Sequence, residues 1–138
     1  MLINPYRQQL FDHIKENALR KDIYLDMING YTDHVHCLVW LSAGQTVDGV
    51  AHLLKGESAY WFNNHSGIVH EKLKWQDHYF AASVGLSALE KVRTYIANQE
   101  AHHAKTSFAN EYEEMMKQFL VTKDLENSLA HFKFRTRR

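Results

Sequence analysis

Residues 22–41 read DIYLDMINGYTDHVHCLVWL, and this stretch decides the fold. In 22–29, Ile23, Leu25 and Met27 alternate with Tyr24, Asp26 and Ile28. In 34–41, Val35, Cys37 and Val39 alternate with His34 and His36. A period of two is how a strand sends successive side chains to opposite faces. Between the two runs stands Gly30-Tyr31-Thr32-Asp33, which is turn chemistry. The stretch therefore predicts an antiparallel hairpin. Such a hairpin needs apolar cover on at least one face, so the flanking segments were read for helices.

Residues 4–20 predict an amphipathic helix, with Asn4 as N-cap, Pro5 at the first helical position, and Leu10, Phe11 and Ile14 at helical spacing. Residues 46–64 predict a second, capped by Thr46, with Val50, Leu53, Leu54 and Trp61 as its buried stripe. Residues 72–84 predict a third strand, with Gln76-Asp77 as a bulge or turn. Residues 86–104 give the clearest helix, with Leu86, Leu89, Val92 and Ile96 in line. Further helices are expected from Ser107 over 107–119 and over 123–133, making a C-terminal helical tail of about 107–138.

The order α-β-β-α-β-α plus C-terminal helices predicts an α+β fold, an antiparallel sheet with helices on it. It matches the ferredoxin-like (RRM-like) βαββαβ plan with one element missing. The helix at 4–20 leaves no room for the usual first strand ahead of it, so the sheet is expected to lack that strand unless another segment fills the gap.

The bulk numbers bound the class. A chain of 138 residues with 45% hydrophobic content fits one domain, 1–138, with a real core. Lysine plus arginine equal aspartate plus glutamate at 16 each, which excludes a generally basic nucleic-acid coat but not a local patch. The tail from Lys133 to Arg138 holds four basic residues and no acid, and reads as a solvated tail or a phosphate contact. Cys37 is the single cysteine, so no internal disulfide forms and a cytoplasmic location is expected. No leader and no membrane span is read. Ten histidines is the unusual count, and it invites a search for metal ligands.

Two constellations could carry chemistry. On a strand, His34 and His36 share a face, and two imidazoles so placed can bind one divalent metal. The plain alternative is a pair of surface histidines on a half-exposed strand. On the helix at 86–104, Tyr95 and Gln99 stand four apart on one face, extended by His103, away from Val92 and Ile96. That pairing suits a nucleophile beside a neutral metal ligand; the alternative is a polar surface stripe. Weaker candidates are His102 with His103, which a helix cannot aim at one point, Asp33 in its turn, and Tyr79 with Phe80 as base-stacking aromatics. P-loop, GxSxG, CxxC and HExxH patterns do not occur.

Taken together, TDHVHCLV at 32–39, WQDHYFAASVG at 75–85 and VRTYIANQ at 92–99 resemble the single-tyrosine HUH transposases of bacterial insertion sequences (insertion-sequence-200-like). The resemblance runs from about residue 4 to residue 119. It implies metal binding by His34, His36 and Gln99, with magnesium or manganese as the ion. It implies that Tyr95 attacks a phosphate of single-stranded DNA, giving a 5′-phosphotyrosine link and a free 3′-OH. Hairpin-ended DNA is the implied partner, and a homodimer the implied assembly. An incomplete sheet with open edges also favours a second copy.

The chemistry is coherent. A metal held by neutral ligands keeps its charge for the phosphate oxygens. Magnesium prefers oxygen ligands, so manganese is a reasonable surrogate at a mixed site. Covalent capture preserves the energy of the phosphodiester, so the 3′-OH can later reverse the step. Two other readings compete. A non-catalytic hairpin-binding relative would bind without nicking. An unrelated zinc hydrolase built on His34 and His36 would ignore Tyr95.

Overall fold

A computed structural model describes residues 2–65, 67, 72–103 and 129–136. In chain order the elements are α1 (Tyr6–Arg20), β1 (Tyr24–Gly30), β2 (His34–Trp40), α2 (Val47–His65), β3 (Trp75–Ser83), a short 3₁₀ turn (Leu86–Ala88), α3 (Leu89–Ala97), α4 (Gln99–His103) and β4 (Leu129–Thr136). The four strands form one antiparallel sheet in the order β1-β2-β4-β3. The fold is α+β, as the segment order predicts.

The hairpin at its heart follows from its residues. Tyr31 N donates to His34 O at 3.0 Å to close the turn. Gly30 is required there, because a Cβ at this position would stand 2.2 Å from His34 O. The pairing shifts register between Leu25 and Met27. That bulge breaks the simple alternation of β1: Ile28 joins one core with Leu25 against it, while Met27 packs on the other.

The sheet has helices on both faces. On one side, Leu10, Phe11, Ile14 and Ala18 of α1 and Val50, Ala51, Leu54 and Phe62 of α2 meet Val35, Cys37 and Val39. On the other, Val92 and Ile96 of α3 meet Leu38 and Val84. The second helix begins as expected, with Gly49 N donating to Thr46 Oγ1 at 3.0 Å.

Several expectations are corrected. The sheet does not lack a strand: β4 lies between β2 and β3, in the slot reserved for the strand expected ahead of α1. Residues 129–133 are therefore strand and not the end of a helix over 123–133, and the C-terminal helical tail of 107–138 fails over 129–136. The helix over 107–119 lies outside the described residues. Ala130, Phe132 and Phe134 fill the α1/α2 core, so both faces of β4 are covered and even Lys133 is only 4% exposed. The basic tail is thus in part an interior strand. The first helix starts after Pro5, without a side-chain cap from Asn4. Leu53 and Leu86 are 49% and 54% exposed, so neither belongs to its helix's buried stripe. The long helix breaks at Asn98 into α3 and α4.

Leu2 N donates to Thr32 O at 2.6 Å, and Thr136 N donates to Asp33 O at 2.8 Å. Residues 2 and 136 thus dock on adjacent positions of the β1–β2 turn. The order β4, α1, β1, β2, α2, β3 read around the molecule reproduces βαββαβ, which explains how the plan survives with its first strand supplied from the C-terminal side.

Candidate active site

The site lies on the α3 face of the sheet, where β2, β4, α3 and α4 meet. Alternation along β2 turns His34 and His36 toward this face, as read from the sequence. Both are fully buried, so they are not surface histidines on a half-exposed strand. Their rings meet edge to face with centroids 5.0 Å apart.

The helix carrying Tyr95 is fixed by two sets of contacts from β1. Arg93 grips Asp26 through both carboxylate oxygens, at 3.0 and 2.7 Å. Trp40 Nε1 donates to the same carboxylate at 2.9 Å. The hydrogen bond from Arg93 outweighs burial and, with that from Trp40, holds the Asp26 carboxyl below its ordinary range. Further along, Asn29 Nδ2 donates to Ile96 O at 2.9 Å and Ala97 O at 3.2 Å. These are carbonyls at the C-terminal end of α3, where the helix leaves them unsatisfied.

So anchored, α3 brings half-buried Tyr95 against His36, with ring centroids 5.4 Å apart and planes at 85°. Gln99, four residues on, is fully buried, and its Oε1 lies 3.0 Å from His34 Nε2. The Gln99 Nε2 donates back to Tyr95 O at 3.1 Å, which fixes the amide orientation. All four sequence-predicted site residues, His34, His36, Tyr95 and Gln99, converge within one chain. The side chains of His102 and His103 lie outside the described residues. Tyr79 does not stack openly; its hydroxyl donates to Asp48 at 2.9 Å and its ring leans on Phe132 and Phe134.

One residue escaped the sequence reading, and another was read only as part of a basic tail. His131, on β4, is fully buried with its Nε2 2.8 Å from His36 Nδ1. Arg135, two pleats on, sits 3.6 Å from Asp33 Oδ2. The signal was present: in AHFKFR, Ala130, Phe132 and Phe134 alternate with His131, Lys133 and Arg135.

The donor set fits a divalent cation. Asp33 Oδ1 lies 2.8 Å from His34 Nδ1 and Gln99 Oε1 lies 3.0 Å from His34 Nε2, so a His34 that carries its proton on Nδ1 would turn its Nε2 lone pair toward the amide oxygen. In that tautomer two acceptors would stand at contact distance, an arrangement that a cation bound to both would relieve. Adjacent ligands on an octahedral ion with bonds of about 2.1 Å stand about 3 Å apart, the separation seen here. Counting only His, Cys, Asp and Glu, no group of three or more side chains among the described residues is arranged for a metal.

The family model described as "Transposase IS200 like" matches residues 1–99, well over half of the chain and inclusive of His34, His36, Tyr95 and Gln99. The chain belongs to the IS200-like transposases. No curated protein and no solved structure matches it. The family match ends at Gln99, so the strand that completes the sheet of this IS200-like transposase lies outside it. No helix among the described residues is long and apolar enough to cross a membrane.

Proposed function

We propose that this IS200-like transposase cuts and rejoins single-stranded DNA through Tyr95. His34, His36 and Gln99 would hold a magnesium or manganese ion, which supplies positive charge to the non-bridging phosphate oxygens. The observation that carries the reading is the meeting of Tyr95 and Gln99, from α3 and α4, with two buried histidines of β2.

The chain's own residues do the following. Asp33 accepts the His34 Nδ1–H and so turns the Nε2 lone pair inward. Gln99 offers a neutral oxygen, which leaves the cation's charge undiminished. Tyr95 Oη gives up its proton and attacks the phosphorus; the bond to the 3′-oxygen breaks, and that oxygen takes a proton to become a 3′-OH. The strand downstream of the break stays on Tyr95 through its 5′-phosphate, as a phosphotyrosine. Reversal by another 3′-OH joins the strands without ATP. Tyr95 stands beside the histidines of its own chain, so this reading needs no second copy to complete the site. With β4 in place the sheet is no longer incomplete, and the homodimer that the resemblance implies stays part of the proposal without that argument. Hairpin-ended DNA remains the proposed substrate.

The test is a denaturing gel of protein, Mn²⁺ and a labelled hairpin oligonucleotide. A covalent band that Tyr95→Phe abolishes, and that His36→Ala or Gln99→Ala reduces at least about tenfold, supports the reading. Hairpin binding that survives Tyr95→Phe with no nicking by wild type would establish the non-catalytic alternative. Nicking indifferent to Tyr95→Phe would establish the hydrolase.

A further inference from the structure

We infer that His131 of β4 is the positioning residue for His36, accepting its Nδ1–H so that the His36 Nε2 lone pair is held for the metal. The inference rests on the metal-site reading above. Its geometry is independent of that reading.

A neutral imidazole carries one N–H, and the hydrogen bond made by one nitrogen fixes the role of the other. His34 shows the arrangement in full: its Nδ1 is engaged by Asp33 and its Nε2 faces Gln99. His36 repeats half of it. Its Nδ1 is engaged by His131 Nε2 at 2.8 Å, in rings stacked at 5.0 Å and 18°. The two histidines of β2 are thus oriented through the same ring nitrogen, one by a carboxylate and one by an imidazole. Metal-bound histidines are commonly held in this way through the second nitrogen.

The His131 ring is itself held in place. Strand pairing puts its Cα opposite Leu38 on β2 and Ala82 on β3, and Phe80 closes on it edge to face at 6.5 Å. It is fully buried in a strand with neighbours on both sides. A leucine would fill the same apolar space, so burial alone does not account for an imidazole there; the contact with His36 does. The residue lies beyond the stretch that matches the family, which ends at residue 99.

The experiment compares wild type, His131→Gln and His131→Leu. Glutamine keeps an acceptor at similar reach; leucine removes it. Long-range ¹H–¹⁵N spectra of the metal-free protein read the His36 tautomer directly. Calorimetric titration with Mn²⁺ alone reads the affinity, and a urea midpoint checks folding. The expected result is a His36 Nδ1–H form in wild type and in His131→Gln, lost in His131→Leu. Mn²⁺ affinity should fall about 10- to 100-fold in His131→Leu and by no more than a few-fold in His131→Gln. An unchanged tautomer and affinity in His131→Leu would overturn the inference. So would loss of Mn²⁺ binding in both variants with the tautomer unmoved, which would make His131 a ligand. Wild type that binds no Mn²⁺ would defeat the metal site, while the tautomer would still decide the role of His131.

Discussion

Truncating Phe132 to alanine puts the whole arrangement at risk, and the size of the loss can be worked out in advance. Phe132 has no exposed surface. Its ring lies 6.2 Å from Tyr79 and 5.9 Å from Phe134, and its Cα pairs with Cys37 on one side and Ala81 on the other. Phe→Ala in a packed core costs about 3–5 kcal/mol. At about 1.4 kcal/mol per decade, the folded-to-unfolded ratio drops by roughly two to four orders of magnitude. Domains of this size are stable by about 5–15 kcal/mol, so Phe132→Ala should be marginal or unfolded at 37 °C. Urea titration followed by tryptophan fluorescence measures this, with Trp75 reporting from 6.1 Å beside Phe134. Leu19→Ala, at a position 78% exposed, is the control and should move stability by no more than about 0.5 kcal/mol. A Phe132→Ala loss below about 1 kcal/mol, at an unchanged m-value, would mean that residues 129–136 are not the strand between β2 and β3.

Other expectations follow from single contacts. Asp26→Asn should cost about 1.5–3 kcal/mol at neutral pH by breaking the charged bonds to Arg93. Because folding lowers the Asp26 carboxyl, that stability is present above the unfolded value of about 3.9 and disappears as pH falls below it; urea midpoints of the two proteins should converge at acid pH. Burial pushes the Cys37 thiol well above its usual range, so wild type should lose stability as pH rises above about 8.5, a slope that Cys37→Ala removes. The same thiol should resist alkylation in the native protein and react in Phe132→Ala. Gly30→Ala drives a Cβ into the His34 carbonyl and should cost at least about 1–3 kcal/mol while weakening Mn²⁺ binding, both read by calorimetry.

The hairpin and the residues of the site were legible because their patterns are local. Alternation placed His34 and His36 on one face of β2, and helical spacing placed Tyr95 with Gln99. What periodicity could not give was which helix residues the sheet would cover. Leu53 lies off the stripe that Val50, Ala51 and Leu54 present to the sheet, and buried Ser58 is satisfied there by Trp75 Nε1, which donates to its hydroxyl at 2.9 Å. The larger miss was β4. Its lysine and arginine suggested solvent, yet a strand flanked by two others and covered on both faces buries its polar positions too. His131 and Lys133 are inside for that reason. Only the sheet's vacancy, inferred from the missing first strand, pointed toward a replacement, and nothing local said where it would come from.

Because the sheet is closed by its C-terminal strand, the chain leaves the ribosome with the pieces of its candidate site made in an instructive order. The histidine pair and the tyrosine emerge early, while β4 is the last described element to be synthesised. At about 5–20 residues per second, the stretch between α4 and β4 occupies the ribosome for a second or more. Throughout that interval β2 and β3 present facing rows of unpaired amides and carbonyls around a slot one strand wide, open to any extended segment with matching alternation. The nascent protein is therefore most vulnerable to mispairing with its neighbours just before its sheet is complete, and crowded polysomes should be where it aggregates.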